Sequence, residues 1–234
     1  MRKAMFRFVL PIVLVLLFVP QLAASETVPN DVQTLKSQDA TISQRNAGFT
    51  VDIHYPVTGY PDIDRDIRNW AEQQVSLFRT ISEDPHDTPY DMSATYVITA
   101  PSERYLSIVW IILSFTGGAH GNMDIATFTY DTVTAKQIDI YDIFFNLDHA
   151  LELVSRYSAR VLEEKLGDML VLDMLREGTR PDVENFSNFA LTPNGIRFYF
   201  SPYQVAPWAA GMNTVDIPLN DLAGAQPQWS LWAR

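Results

Sequence analysis

The side chains that could perform acid–base or metal chemistry in this sequence are its histidines and acids. Four histidines occur in 234 residues, and no two have the H-x-H or i, i+4 spacing that brings two imidazoles to one metal ion: His54, His86, His120 and His149. The HExxH pattern of zinc peptidases is absent as well. A metal site would need distant histidines and some of the 28 acids, so we predict no bound metal.

Nucleophilic catalysis has no recognisable motif either. The chain has no cysteine, which excludes thiolate chemistry, a disulfide framework and a lipid-modified cysteine. The G-x-S-x-G turn that exposes a catalytic serine is absent, and so are a phosphate-binding loop and a dinucleotide fingerprint. We therefore predict no catalytic residue and no cofactor.

One histidine lies in an unusual setting, the stretch TGGAHGN at residues 116–122. As a functional residue, His120 would be exposed at a hairpin tip, where glycine lets a ligand approach closely. As a structural residue, it would hydrogen-bond a nearby carbonyl and fix a turn formed by Gly117, Gly118 and Gly121. Both interpretations stay open on the sequence alone.

A second unusual stretch, SPYQVAPWAAG at residues 201–211, places two aromatic residues among prolines. Tyrosine and tryptophan on irregular backbone are typical of binding surfaces, so Tyr203, Pro207 and Trp208 join His120 as candidate binding residues. The alternative is that Tyr203 and Trp208 only cap the core.

The elements that would position these stretches follow from hydrophobic periodicity. Alternation predicts strands at 48–56, 92–101 and 123–131, and the run at 104–115 is apolar on both faces, which indicates a central strand. Spacing of three to four predicts helices at 60–81, 146–166 and 168–177, with Asn146 as N-cap. Two further strands flank a turn at 192–195, and alternation returns near 213. This mixture predicts an α+β fold, a mainly antiparallel sheet with helices packed on it.

The first 25 residues have the pattern of a secretory signal peptide. A basic start precedes an apolar run that ends at Pro20, and Ala23 and Ser25 suit cleavage before Glu26. An uncleaved anchor is the alternative; if the signal is cleaved, no stable membrane span is expected. We divide the rest into an N-terminal leader (26–46), a domain (47–222) with segments 47–100 and 101–222, and a C-terminal tail (223–234).

Charge restricts the class of partner. All 28 acids follow residue 25 and three of the 17 bases precede it, which leaves 14 bases and a net charge of −14 on residues 26–234. Nucleic-acid binding needs a basic surface and is not expected. An acidic exported protein attracts basic partners.

Three stretches together resemble a bacterial envelope family of unknown function: LSIVWIILSFTGGAHGN, FTYDTVTAKQIDIYDIF and FALTPNGIRFYFSPYQVAPWAAGMNTVDIPLNDL. The similarity covers roughly residues 47–222. Two positions depart from the family pattern, Ala135 where the family has glycine and Trp208 where tyrosine is common. In that family the domain occurs in the extracellular part of RsiV-type anti-sigma factors, where it binds lysozyme, and beside peptidoglycan deacetylase domains.

The resemblance implies an α+β recognition module without catalysis of its own. We therefore expect a periplasmic or secreted, non-enzymatic domain that binds peptidoglycan, lysozyme or another basic envelope protein. Few residues precede the apolar run and the chain ends at Arg234, so we expect a free-standing domain. The alternative function is a metal-dependent hydrolase of envelope polymers that acts through His120.

Overall fold

The computed structural model describes residues 37–82, 88–100 and 102–233. The predicted signal peptide and its cleavage before Glu26 lie outside these residues and stay predictions, and His86 lies outside them as well. None of the helices in the described part of the chain is long and apolar enough to cross a membrane.

A six-stranded sheet forms the first half of the fold, with its strands in chain order. Its strands are β1 (Gln38–Arg45), β2 (Phe49–Val57), β3 (Tyr90–Thr99), β4 (Tyr105–Phe115), β5 (Asn122–Asp131) and β6 (Gln137–Ile138). Every neighbouring pair is antiparallel except β2 and β3, which are parallel. A parallel pair needs a long crossover, and helix α1 (Pro61–Ile81) provides it.

Helix α1 covers one face of this sheet. Its start suits a helix N-terminus, because Pro61 stands at the first turn and Asp64 accepts hydrogen bonds from the backbone N–H groups of Thr58 and Gly59. The buried side follows a regular spacing: Ile63, Ile67, Ala71, Val75 and Phe78. The spacing of three to four that predicts this helix also includes Leu77 and Ile81, which it would place on the buried face; that is wrong, since both are more than half exposed.

A three-stranded antiparallel sheet and three helices form the second half. Its strands are β7 (Phe189–Thr192), β8 (Gly195–Phe200) and β9 (Asn213–Pro218), and its helices are α2 (Leu147–Leu166), α3 (Leu172–Gly178) and α4 (Leu219–Leu222). The predicted N-cap of α2 is confirmed, because the Asn146 side chain accepts a hydrogen bond from the backbone N–H of His149 at 3.2 Å. The predicted α+β class with a mainly antiparallel sheet is therefore confirmed.

Buried hydroxyl groups join the two sheets. The Ser107 hydroxyl accepts from the backbone N–H of Leu191 at 2.9 Å and lies 2.7 Å from the hydroxyl of Thr129. Thr99 donates to the carbonyl of Leu191 at 2.6 Å, so β7 is held by side chains from β3 and β4. All three hydroxyl residues are almost fully buried. Strand β7 is an edge strand of the second sheet, and these hydrogen bonds satisfy backbone groups that have no neighbouring strand on that side.

The central position predicted for β4 is confirmed, but its cover is uneven. Residues from Tyr105 to Trp110 are buried on both faces, whereas Leu113 is 45% exposed. The difference arises because β7 packs only across the first half of β4, through Ser107 and Val109. The β4–β5 hairpin thus projects past β7, and its tip is free to contact another element.

Both segments outside the predicted domain boundaries contribute to the fold. Strand β1 pairs along its whole length with β2, although it lies in the predicted leader. In the predicted tail, Leu231 is buried in the second core and Trp232 donates its indole N–H to the carbonyl of Thr192 at 2.9 Å. The boundaries at 47 and 222 themselves stay predictions.

The turn after β5 is organised by Asp131. Its carboxylate accepts from the guanidinium of Arg104 at 2.6 Å and from the backbone N–H of Val133 at 2.9 Å. The Arg104 hydrogen bond is the main cause that lowers the pKa of Asp131 to about 2. The backbone of Ala135 is left-handed, with φ of 55°. This conformation explains why glycine is the residue that suits the position in the family pattern.

We predict that Ala135→Gly stabilises the protein by up to ~1 kcal/mol. A left-handed alanine costs about 1–2 kcal/mol, and the greater freedom of glycine in the unfolded chain cancels about 0.4–1 kcal/mol of that gain. Urea unfolding measures the difference. In the matched control Ala159→Gly, inside α2, the same exchange should destabilise by about 0.5–1 kcal/mol. Loss of stability in Ala135→Gly would contradict this interpretation of the turn.

Candidate functional site

The hairpin between β4 and β5 carries the TGGAHGN stretch at its tip. The predicted hairpin is confirmed by continuous pairing from Tyr105 with Asp131 to Ser114 with Asn122. Gly117 and Gly118 have φ of 87° and 100°, the left-handed backbone that glycine tolerates best. Gly121 has a different role, since a Cβ there would lie 3.1 Å from the carbonyl of Ser114 across the hairpin.

The imidazole of His120 is exposed and makes one local hydrogen bond. Nδ1 lies 2.9 Å from the carbonyl of Gly121, and because a carbonyl only accepts, Nδ1 carries the proton. Among the described residues, no hydrogen bond reaches Nε2. The local bond is the one expected of a structural histidine, whereas the exposed ring and its unbonded nitrogen suit a contact residue.

The same imidazole stacks on the indole of Trp208. The two ring centroids are 4.4 Å apart and the rings are 25° from parallel. Trp208 begins a short 3₁₀ turn, Trp208–Ala210, in the connection between β8 and β9. The tertiary fold therefore brings two stretches that are 88 positions apart in sequence into one exposed aromatic surface, which we call the His120–Trp208 surface.

The connection that carries Trp208 is anchored by Gln204. Its side-chain amide donates to the carbonyls of Gly178 at 3.2 Å and Asn185 at 3.0 Å, and its oxygen accepts from the backbone N–H of Ser201. The next two residues, Val205 and Ala206, are buried. Sequence reasoning missed Gln204 because a single glutamine in a loop carries no pattern that indicates a buried polar anchor.

Tyr203 lies beside this anchor in a strained position. Its φ of 71° is in the left-handed region, which costs a bulky residue free energy, and its side chain is 57% exposed. A tyrosine held in this conformation with its side chain in solvent does not cap the core. This favours the binding interpretation of the stretch over the alternative.

The four candidate binding residues are thus only partly brought together. His120 and Trp208 are in contact, and Pro207 is the residue before the 3₁₀ turn, where its carbonyl accepts from the N–H of Ala210 at 2.9 Å. Tyr203 belongs to the same connection, on the other side of the buried pair Val205 and Ala206. The free polar atoms of the surface are Nε2 of His120 and the indole N–H of Trp208, neither of which has a hydrogen-bond partner among the described residues.

Within the described ranges, no group of three His, Asp or Glu side chains could hold a metal ion. The histidine that acids do surround is His54, with Nδ1 at 2.9 Å from Asp39 and Nε2 at 3.8 Å from Asp52. The hydrogen bond to Asp39 is the main cause that raises the pKa of His54 above its usual value. This arrangement favours a protonated imidazole, whereas a metal ligand must be neutral.

Comparison with known proteins finds a family match in the second half of the chain. Residues 141–220 match the family model described as "Protein of unknown function (DUF3298)". The match contains α2, α3, the second sheet and the connection that carries Trp208. Gln204 and Tyr203 therefore lie within it. His120 lies outside it, on the first sheet.

Three relatives match more of the chain. It is 30% identical over 203 residues to the peptidoglycan-N-acetylmuramic acid deacetylase PdaC of Bacillus subtilis, which is 82% of this chain but only 43% of that protein. It is 27% identical over 225 residues to the immunogenic protein MPT64 of Mycobacterium tuberculosis, 93% of this chain and 96% of that protein. A 25% identical esterase of the same organism matches 73% of this chain and 75% of its own length.

The fold also matches a solved structure. The crystal structure of a DUF3298 family protein from Pseudomonas aeruginosa superposes with a TM-score of 0.66, covers 86% of this chain and 98% of its own, and is 16% identical in sequence. At that identity the match supports the fold alone. The family match over residues 141–220 and the similarity to PdaC confirm the resemblance to an envelope family of unknown function.

Proposed function

We propose that this chain, which carries a DUF3298 domain, is a non-enzymatic binding domain of the bacterial cell envelope and that the His120–Trp208 surface is its ligand site. The observation that carries the proposal is the stack of an exposed imidazole on an exposed indole. Neither ring is needed to fill the core, and each has a free polar atom at its edge. Export through the signal peptide, with cleavage before Glu26, belongs to the same proposal.

The ligand that this surface suits best is the glycan of the cell wall. A flat aromatic face packs against the apolar C–H face of a sugar ring, and polar atoms at the ring edges bind its hydroxyl groups. Nε2 of His120 accepts one hydrogen bond, and the indole N–H of Trp208 donates another. The relative PdaC is by its name an enzyme of peptidoglycan, which agrees with a wall ligand for the shared segment.

A basic protein such as lysozyme is the second candidate partner. The net charge of −14 on residues 26–234 would steer a cationic protein towards this chain. Long-range attraction of this kind raises the association rate more than the final affinity, so it gives no contact site by itself. The family resemblance supplies the specific expectation of lysozyme.

Trp208→Ala should weaken binding to purified, insoluble peptidoglycan at least roughly fivefold, because a central aromatic contact typically costs more than about 1 kcal/mol when truncated. Sedimentation of the full chain with peptidoglycan measures the bound fraction. The matched control is Trp229→Ala, since Trp229 is 48% exposed. It lies near Trp232, whose indole contacts the end of β7 at Thr192. That end of the second sheet is opposite to the one that carries Trp208. Wild-type binding by a folded Trp208→Ala protein would contradict the proposed site.

To test lysozyme as the partner, retention of the same proteins on immobilised lysozyme is measured at low and moderate salt. Retention that persists at moderate salt and is lost in Trp208→Ala would make the partner a protein instead of a glycan. Retention that disappears with a few tens of millimolar salt indicates only charge pairing between an acidic and a basic protein.

Catalysis is tested on the same samples. A relative is named an esterase, and the alternative function is a metal-dependent hydrolase acting through His120. Turnover of a p-nitrophenyl ester would replace the binding proposal by an enzymatic one. So would metal that is retained through native purification, together with a loss of turnover in His120→Ala.

A further inference from the structure

A second site lies between α2, β9 and α4, away from the hairpin tip that carries His120. It is a cleft of about 310 Å³, a volume at the lower end of small-molecule sites. Its floor is apolar and consists of Leu153, Val154, Ile217, Leu222 and Ala225. Four of these residues, Val154, Ile217, Leu222 and Ala225, are nearly fully buried.

Two arginines on successive turns of α2 line the cleft. Arg156 and Arg160 are four positions apart and therefore lie on one face of the helix, where like charges destabilise the helix slightly unless an anion bridges them. Within the described part of the chain, the ion pair of Arg156 is a long contact to Glu152, at 3.8 Å between exposed groups. Arg160 has no ion pair with an acid among the described residues. Guanidinium groups in this position can bind a carboxylate through two hydrogen bonds.

The cleft also contains an acceptor. Tyr157 and Asp221 both line the cleft, and the guanidinium of Arg160 lies over the Tyr157 ring, 5.1 Å from its centroid. Burial and the neighbouring carboxylate of Asp221 raise the pKa of the Tyr157 hydroxyl. The cleft thus presents donors, one carboxylate acceptor and an apolar floor within one small volume, in a chain that is otherwise strongly acidic.

We propose that this cleft binds the carboxyl end of a peptide whose last residue is apolar. The terminal carboxylate would pair with Arg156 and Arg160, the peptide N–H would donate to Asp221, and the apolar side chain would lie on the floor. A simple inorganic anion leaves both the floor and Asp221 unused. A cationic ligand meets two guanidinium groups, and a neutral apolar molecule leaves the arginines without a partner.

The probe is N-acetylleucylleucine, and its control is the same dipeptide with a terminal carboxamide. Titration into the full chain, followed by amide chemical shifts, is expected to move signals from α2, Ile217 and α4. Removing the terminal charge should weaken binding at least tenfold. Equal binding of acid and amide, shifts confined to other elements, or no binding at millimolar peptide would each overturn the proposal.

Two variants distinguish the effect of the arginine charge in the cleft from a general change in the protein. Arg160→Gln removes the charge but keeps a polar side chain, and it should weaken binding of the free acid at least fivefold, while binding of the amide is unchanged. The matched control is Arg176→Gln, on the exposed side of α3, where the arginine only approaches Asp173 at 3.9 Å. Equal losses in both variants would show a general charge effect. Since the His120–Trp208 surface is not involved, Trp208→Ala should bind the dipeptide normally, so this proposal and the proposed function fail independently.

Discussion

Replacing Gly178 with alanine is expected to destabilise the protein by about 3 kcal/mol and to displace the connection that carries Trp208. A Cβ at position 178 would lie 2.0 Å from the carbonyl oxygen of Gln204 and 2.9 Å from a methyl of Val205. Backbone must therefore move, and overpacking of this kind costs about 1–3 kcal/mol or more. The gain in helix propensity at the end of α3 is smaller, at most about 1 kcal/mol.

Gly178 also holds the proposed binding surface in place. Its carbonyl accepts from the Gln204 amide, which anchors the connection from Ser201 to Gly211. Urea unfolding measures the stability loss, and the peptidoglycan assay at a temperature where the variant stays folded measures the loss of binding. We expect the free energy of unfolding and the binding to peptidoglycan to decrease together. In the control Gly224→Ala, the new Cβ would meet only a methyl of Leu153 at 3.4 Å, so little change is expected.

Full stability in Gly178→Ala would mean that the connection between β8 and β9 adapts easily, and the anchoring role of Gln204 would then be wrong. Loss of stability with normal peptidoglycan binding by the folded fraction would instead show that the His120–Trp208 surface does not depend on this anchor.

Ser107→Val should cost about 2–3 kcal/mol. Valine is larger than serine and has no hydroxyl, so the buried N–H of Leu191 loses its acceptor and Thr129 loses its partner. A buried donor left without a partner costs about 1–3 kcal/mol, and the larger side chain adds strain under β7. The free energy of unfolding in urea, with an unchanged m-value, measures the effect.

The matched control is Ser93→Val, on the neighbouring strand β3. Ser93 is exposed and pairs across from Leu113, beyond the part of the sheet that β7 covers. Surface exchanges of this kind usually change stability by less than about 0.5 kcal/mol. If Ser107→Val is as stable as the control, the hydroxyl contacts do not hold the two sheets together, and apolar packing alone must do so.

These two predictions concern the contacts on which the site's geometry depends. The hydroxyl groups of Thr99 and Ser107 position the second sheet against the first. Gln204 then positions the connection from β8 against α3. Only with both in place does the indole of Trp208 reach the imidazole of His120.

Local patterns predicted most of the secondary structure. Strict alternation placed β2, β5 and β9, and Asn146 marked the start of α2 as its capping side chain requires. These predictions succeeded because strand alternation and helix capping depend on residues close together in the chain. Spacing alone did not predict the last turns of the buried face of α1, because Leu77 and Ile81 continue the apolar series but are exposed. Phe78 is buried instead, and its ring packs against Phe49 of the sheet.

The sequence by itself determined the α+β class, the hairpin with its two left-handed glycines, the absence of cysteine chemistry and the resemblance to an envelope family. The tertiary structure alone decided that His120 stacks on Trp208, that Ser107 receives the N–H of Leu191, and that Arg160 lines a cleft with Asp221. The physical reason is the range of the interactions. Turns and caps depend on neighbouring residues, whereas a stack between positions 120 and 208 depends on how two sheets dock, which no local pattern encodes.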